Sequence, residues 1–167
     1  YTNESWVNGA IETAYKIFNT YDASKDKILV RQLYYKNGKW VEATKIDYTY
    51  DYAHRILSAL AETFDKGIWV NSGRLTYSYD LQGNNTFYSE EKWNSGAWSN
   101  YIIKYYTYDV DGNKLSELNE YWREPNVSKK SYRQNYTYDS KGNMLTRIFE
   151  HLVDGNWENF DKQTCIY

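Results

Sequence analysis

One cysteine, one proline and one methionine are all that this 167-residue chain holds of those three residue types. The lone Cys165 excludes an intramolecular disulfide framework and a cysteine-based zinc site; it reads as a small apolar side chain in a strand. No apolar run approaches the length of a transmembrane helix. Charge of one sign is missing too: 20 Lys and Arg against 22 Asp and Glu leave a net charge of −2. That balance gives no electrostatic footprint for nucleic acid or an anionic membrane. The chain starts at Tyr1 rather than methionine, which points to a processed or trimmed start, so the lack of a leader excludes nothing.

What is present is aromatic. Twenty tyrosines and seven tryptophans accompany a hydrophobic fraction of 41%, slightly low for a globular chain, so the aromatics supply most of the apolar surface. Both side chains are amphipathic and suit surfaces that are half packed and half wet.

The aromatics are periodic. NTYD at 19–22, YTYD at 48–51, YSYD at 77–80, YTYD at 106–109 and YTYD at 136–139 place their aspartates 29, 29, 29 and 30 residues apart. One further period from Tyr138 reaches Tyr167. Thirteen residues before the aspartates stand Gly9, Gly38, Gly67, Gly96 and, in a divergent copy, Asn126; Gly155 continues the series. Two residues after these positions come Ile11, Trp40, Trp69, Trp98 and Trp157. A period of this length marks a tandem-repeat architecture, expected to form a single domain over 1–167 with units ending near 22, 51, 80, 109, 139 and 167.

Two turns punctuate each unit. In Asp80–Gly83, Asp109–Gly112 and Asp139–Gly142 an aspartate opens a four-residue turn, and a glycine closes it with the positive φ of a type I turn plus bulge. Asn37-Gly38, Lys66-Gly67, Ser95-Gly96 and Asp154-Gly155 are hairpin turn signals. Arms of roughly ten residues remain, which predicts an all-β, antiparallel up-and-down meander of 10–12 strands, as a curled single sheet or a flattened barrel. In the arm 98–108, Trp98, Ile102, Lys104, Tyr106 and Tyr108 share one parity, so strict alternation predicts one aromatic face and one face of threonine and cations such as Lys45, Arg74, Arg133 and Lys162. The return arms are less regular. Leu57, Leu60, Ala61 and Phe64 fall at helical spacing, which leaves a rival in which short helices join parallel strands, unless a bulge shifts the alternation by one residue.

The motifs YTYD-VDGN and YTYD-SKGN resemble the tyrosine-aspartate repeats of large secreted bacterial shell proteins, which carry Arg where Asn84, Asn113 and Asn143 stand here. They are also similar to secreted proteins of Bacteroides-type bacteria built from tandem W-x-x-G-x-W … YTYD-xxGN units. That resemblance implies an exported protein, secreted, periplasmic or on the outer cell surface, and it implies no activity.

Site chemistry is sparse. Asp109-Val110-Asp111-Gly112-Asn113 lacks the regular ligands and closing glutamate of a calcium loop and reads as a turn. His54 and His151 occupy non-equivalent columns, and Glu90-Glu91 points to opposite faces of a strand. No catalytic residue, cofactor or metal site is expected, and the chain is expected not to be an enzyme; a hydrolase, whose activity would depend on His54 or His151, is the second alternative. The candidate ligand contacts are the aromatic rows, Trp40, Trp69, Trp98 and Trp157 with Tyr50, Tyr79, Tyr108 and Tyr138. These rows suit a glycan or a cell-surface protein, and their alternative use is packing against one another. Two places break the repeat and are candidate binding loops: His54 with Arg55, and Pro125 with Asn126. Self-association through the aromatic face or an edge strand is the competing function.

Overall fold

The computed structural model of the protein describes residues 2–7, 10–123 and 129–166, with side chains from Ala14 onward. Pro125 and Asn126 lie outside the described residues. Twelve strands follow one another: β1 Thr2–Val7, β2 Ala10–Tyr21, β3 Lys27–Lys36, β4 Lys39–Tyr50, β5 Ile56–Asp65, β6 Ile68–Tyr79, β7 Asn85–Asn94, β8 Ala97–Tyr108, β9 Lys114–Trp122, β10 Lys129–Tyr138, β11 Met144–Val153 and β12 Asn156–Thr164. Sheet order follows chain order from β1 to β12, and the described pairings are antiparallel. Among the described residues no pairing of β12 with β1 closes the order into a barrel. The return arms β5, β9 and β11 are strands, so the helical rival is overturned. Among the described residues no helix is long and apolar enough to cross a membrane.

Both predicted turns form. Asn37 and Gly38, at φ 51 and 78, make a two-residue type I′ loop, repeated at Lys66-Gly67, Ser95-Gly96 and Asp154-Gly155. In the second turn the Gly83 amide donates to the Asp80 carbonyl, and the Asp80 amide donates to the Asn84 carbonyl. Asp109 and Asp139 repeat both bonds.

A bulge follows the turns at 22–26, 51–55, 109–113 and 139–143. Tyr50 pairs with Ile56 and Thr49 with Ser58, which leaves Leu57 without a partner residue. Ile28, Leu115 and Leu145 are left over in the same way. This extra residue makes Leu57, Leu60, Ala61 and Phe64 look helical: beyond the bulge, Ala59, Ala61 and Thr63 share one face while Ser58, Leu60, Glu62 and Phe64 share the other.

A second bulge, inside the outgoing arms, corrects the predicted faces. Ile102 pairs with Glu90 and Asn100 with Glu91, so Tyr101 is skipped; Ala43 and Phe160 are skipped likewise. The alternation flips at each. Trp40 and Trp98 therefore stand with the threonines and cations, opposite Tyr48 and Tyr106, rather than on one face with them. The divergent copy lacks this bulge, and β9 pairs with β10 in unbroken register.

By their contacts the residues form two compact units, Tyr1–Arg74 and Leu75–Tyr167. Among the described residues each is a single layer of sheet, with no helix or second sheet over either face. Among the described residues the buried apolar side chains are Ala14 and Ala59, and no large side chain is fully buried. Cross-strand contacts replace a core, as they must where each face stays half wet.

Candidate ligand-binding face

The tryptophan face is held by its own cations. In the first unit Trp40 meets Tyr35 edge-on at 5.3 Å, and Trp69 meets Phe64 at 5.1 Å. Lys16 Nζ lies 4.0 Å above the Trp40 ring and Lys45 Nζ 5.3 Å above Trp69. In the second unit Arg133 lies 4.5 Å above Trp157, and Trp93 meets Trp98 at 5.0 Å. Each of these cations stands 24 residues before the tryptophan it covers. The cations are themselves tied: Lys45 Nζ is 2.5 Å from Glu62, and Arg133 grips Glu150 with Nε at 2.5 Å and a second nitrogen at 2.8 Å. Trp40, Trp69 and Trp157, three of the tryptophans predicted as contacts, thus each carry a cation against the ring, which leaves less of it for a ligand.

Tyr50 and Tyr138, among the predicted tyrosines, are engaged between units. Tyr50 Oη donates to the Lys27 carbonyl at 2.9 Å and Tyr138 Oη to the Lys114 carbonyl at 2.9 Å, each tying one turn to the turn of the preceding unit. The last tyrosine of the motif is thus an inter-unit clamp at these two copies.

The repeat-breaking turn at 51–55 does what its relatives do. Asp109 Oδ1 accepts from the Asp111 and Asn113 amides and Oδ2 from the Asn113 side chain at 2.9 Å; Asp80 and Asp139 likewise bind Asn84 and Asn143. At Asp51 the side-chain partner is Arg55 Nε, at 2.7 Å. These bonds hold the Asp51, Asp80, Asp109 and Asp139 carboxyls below the usual carboxylate range, with the Asn side chain the main cause at the last three and the Arg55 bonds at the first. His54 takes the glycine position at φ 62, and its Nδ1 lies 2.7 Å from Asp26 Oδ2. That bond keeps the imidazole protonated to higher pH than usual. His151 stands 5.6 Å from the Phe160 ring, and its Nδ1 is buried without a hydrogen-bond partner. Among the described residues no three His, Cys, Asp or Glu side chains are placed to hold a metal.

The tyrosine face of the second unit is different. Tyr77 and Tyr88 rings lie 5.2 Å apart, and Tyr88 Oη donates to Glu90 at 3.3 Å. Lys114 Nζ sits 4.8 Å over Tyr106 and 3.0 Å from Glu117. Asn119, only 5% exposed, donates to Glu117 at 2.9 Å and fixes that carboxylate. Tyr77, Tyr79, Tyr88, Ile102, Lys104 and Tyr106, with Tyr108 and Lys114, enclose a shallow depression of about 490 Å³. That volume lies within the range of small-ligand sites. Tyr79 and Tyr108 are among the predicted contacts; Tyr77, Tyr88 and Tyr106 are not, although Tyr77 and Tyr106 open the same motif.

Burial, aided by Glu90 and Glu117, pushes the Tyr88 and Tyr106 phenols up to about 12. A raised folded-state value means that their contribution to stability is complete below the ordinary tyrosine value and fades as pH rises towards 12. Phenolate absorbance during alkaline titration is expected to leave these two phenols un-ionised at about pH 11, and Tyr88→Phe and Tyr106→Phe to remove the latest-titrating signal. A Tyr88→Phe,Tyr106→Phe double variant with an unchanged curve at high pH would refute this assignment.

No family model and no curated protein matches the chain. Solved structures do. A Bacteroides fragilis protein with unknown function aligns with 73% of this chain and 91% of its own at 15% identity and a TM-score of 0.47. A DUF3836 family protein from Bacteroides vulgatus aligns with 71% of this chain and 98% of its own at 19% identity and a TM-score of 0.36. The TcdB2–TccC3–Cdc42 structure aligns with 98% of this chain at 16% identity and a TM-score of 0.52, and this chain spans 10% of that one. At such identity the likeness to TcdB2–TccC3 is one of fold, an all-β architecture and nothing of its chemistry.

Proposed function

We propose that the chain is a non-catalytic binding module of an exported protein, working at a cell surface or beyond it, and that it holds a glycan against the tyrosine face of residues 75–167. The observation carrying this is the depression walled by Tyr77, Tyr79, Tyr88, Tyr106 and Tyr108 on a sheet with no covering layer among the described residues. Sugar rings stack on such aromatic surfaces, and phenols supply hydrogen bonds at the same place. Export rests on the motif resemblance.

A glycan array probed with the protein is expected to give binding that Tyr106→Ala weakens and Trp98→Ala leaves intact, with both variants folded by circular dichroism and no glycan cleaved. Loss with Trp98→Ala alone would move the site to the other face. A second reading has its own support: Leu81 and Val110 stand 98% and 89% exposed at successive turn tips, as residues meeting another protein would. A blank array, together with a concentration-dependent mass that Leu81→Ser and Val110→Ser abolish, would put self-association in place of glycan binding.

A further inference from the structure

The lining of the tyrosine depression says which glycans suit it. Two cations, Lys104 and Lys114, line it, and no carboxylate does. They are not equivalent. Lys114 is neutralised by Glu117 at 3.0 Å, and Glu117 is in turn held by Asn119 at 2.9 Å. Lys104 Nζ lies 6.0 Å from the Tyr88 ring, with no carboxylate at ion-pair distance among the described residues. Glu117 therefore pairs directly with one lysine and reaches the other only through its longer-range field, which leaves the Lys104 ammonium without a hydrogen-bonded carboxylate beside an aromatic wall.

We infer that this depression binds an acidic sugar, its ring stacked on the tyrosines and its carboxylate paired with Lys104. A neutral sugar would leave that ammonium unpaired, whereas a uronate satisfies it with a charge-assisted hydrogen bond. The Tyr106 phenol keeps its proton at neutral pH, so it remains a donor to an anionic ring rather than repelling it, while Tyr88, whose hydroxyl already donates to Glu90, offers its ring face. Both lysines rise from strands, Lys104 from β8 and Lys114 from the start of β9, so their spacing is set by backbone pairing rather than by a loop.

This inference rests on the glycan-binding reading, and calorimetry with two probes separates the two. Trigalacturonate is expected to bind, more weakly as salt rises, while maltotriose binds at least roughly tenfold more weakly. Lys104→Met is expected to weaken trigalacturonate roughly tenfold or more, Lys104→Arg to restore most of it, and Lys162→Met on the opposite face to change nothing. Circular dichroism confirms folding of each variant. Equal binding of maltotriose, or trigalacturonate binding untouched by Lys104→Met, overturns the acidic-sugar inference and leaves glycan binding standing. Binding of neither trisaccharide, with a blank array, overturns both.

Discussion

Replacing Gly142 by valine is expected to lower the free energy of unfolding by about 1–3 kcal/mol, the cost of forcing a side chain into the left-handed region. Gly142 sits at φ +80, and a Cβ there would meet Asn113 Oδ1 at 3.5 Å and Nδ2 at 4.0 Å. Asn113 cannot swing away freely, because its amide and side chain are both bound to Asp109 at 2.8 and 2.9 Å. The branched methyls of valine reach beyond Cβ, so the turn of one unit would press on the turn before it. Gly155 is the control. It has φ +82, and a Cβ added there would meet nothing within 4 Å, so Gly155→Val suffers backbone strain alone. Urea unfolding should rank Gly142→Val below Gly155→Val, and Gly142→Asn, which tolerates this backbone, above both. Equal midpoints for the two valine variants would show that successive turns do not bear on one another.

The second large effect is expected at Arg133. Its guanidinium makes two bonds to Glu150, a residue only 8% exposed, and lies over Trp157. Arg133→Ala leaves Glu150 with Asn135 alone, at 3.2 Å. Charged hydrogen bonds contribute about 1.5–3 kcal/mol and the cation–ring contact about 0.5–1. Arg133 is itself partly exposed and the sheet is one layer deep, so water screens the pair and the expected loss is nearer ~2 kcal/mol in total. Glu150 is hidden by its neighbours yet never far from solvent.

The pH dependence identifies the source. Arg133, through its hydrogen bond, holds the Glu150 carboxyl below the usual glutamate range. The folded value being depressed, this stabilisation is present above the unfolded glutamate value and is lost as pH falls through the depressed one. Thermal midpoints of wild type and Arg133→Ala should therefore differ most at neutral pH and draw closer in acid, leaving the smaller part that belongs to the Trp157 contact. A gap undiminished at about pH 2, below the glutamate range, would assign the whole loss to packing on Trp157 rather than to the ion pair.

The turns were legible in the sequence because their chemistry is local. Asp109, Gly112 and Asn113 lie within five residues, and aspartate, left-handed glycine and asparagine each have one job there. Strand number and antiparallel order followed from the turns. The faces were not legible. Ala43, Tyr101 and Phe160 range from a methyl group to an aromatic ring, and a bulge requires no particular side chain, so nothing at those positions announces that the alternation flips. The cation column at Lys45 and Arg133 was visible, but its tryptophan partners 24 residues on depend on strand register. Arg55 looked like a departure from the repeat. It occupies the asparagine's place on Asp51, and a side chain that differs in kind can still supply the same donor. Lys104 carried no signal in the sequence, since its distinction lies in Glu117 having chosen the other lysine.

The clamps between units are short in sequence. Tyr50 reaches back 23 residues, Tyr138 24 and His54 28. A chain made at roughly 5–20 residues per second needs on the order of seconds to deliver one 29-residue unit, while a hairpin closes in roughly 1–10 μs. Every partner that a new unit needs has already emerged into water before the unit is complete. The sheet can lengthen in the order of synthesis, without waiting for a distant strand, a rare freedom among all-β proteins, whose partners usually lie far apart along the chain.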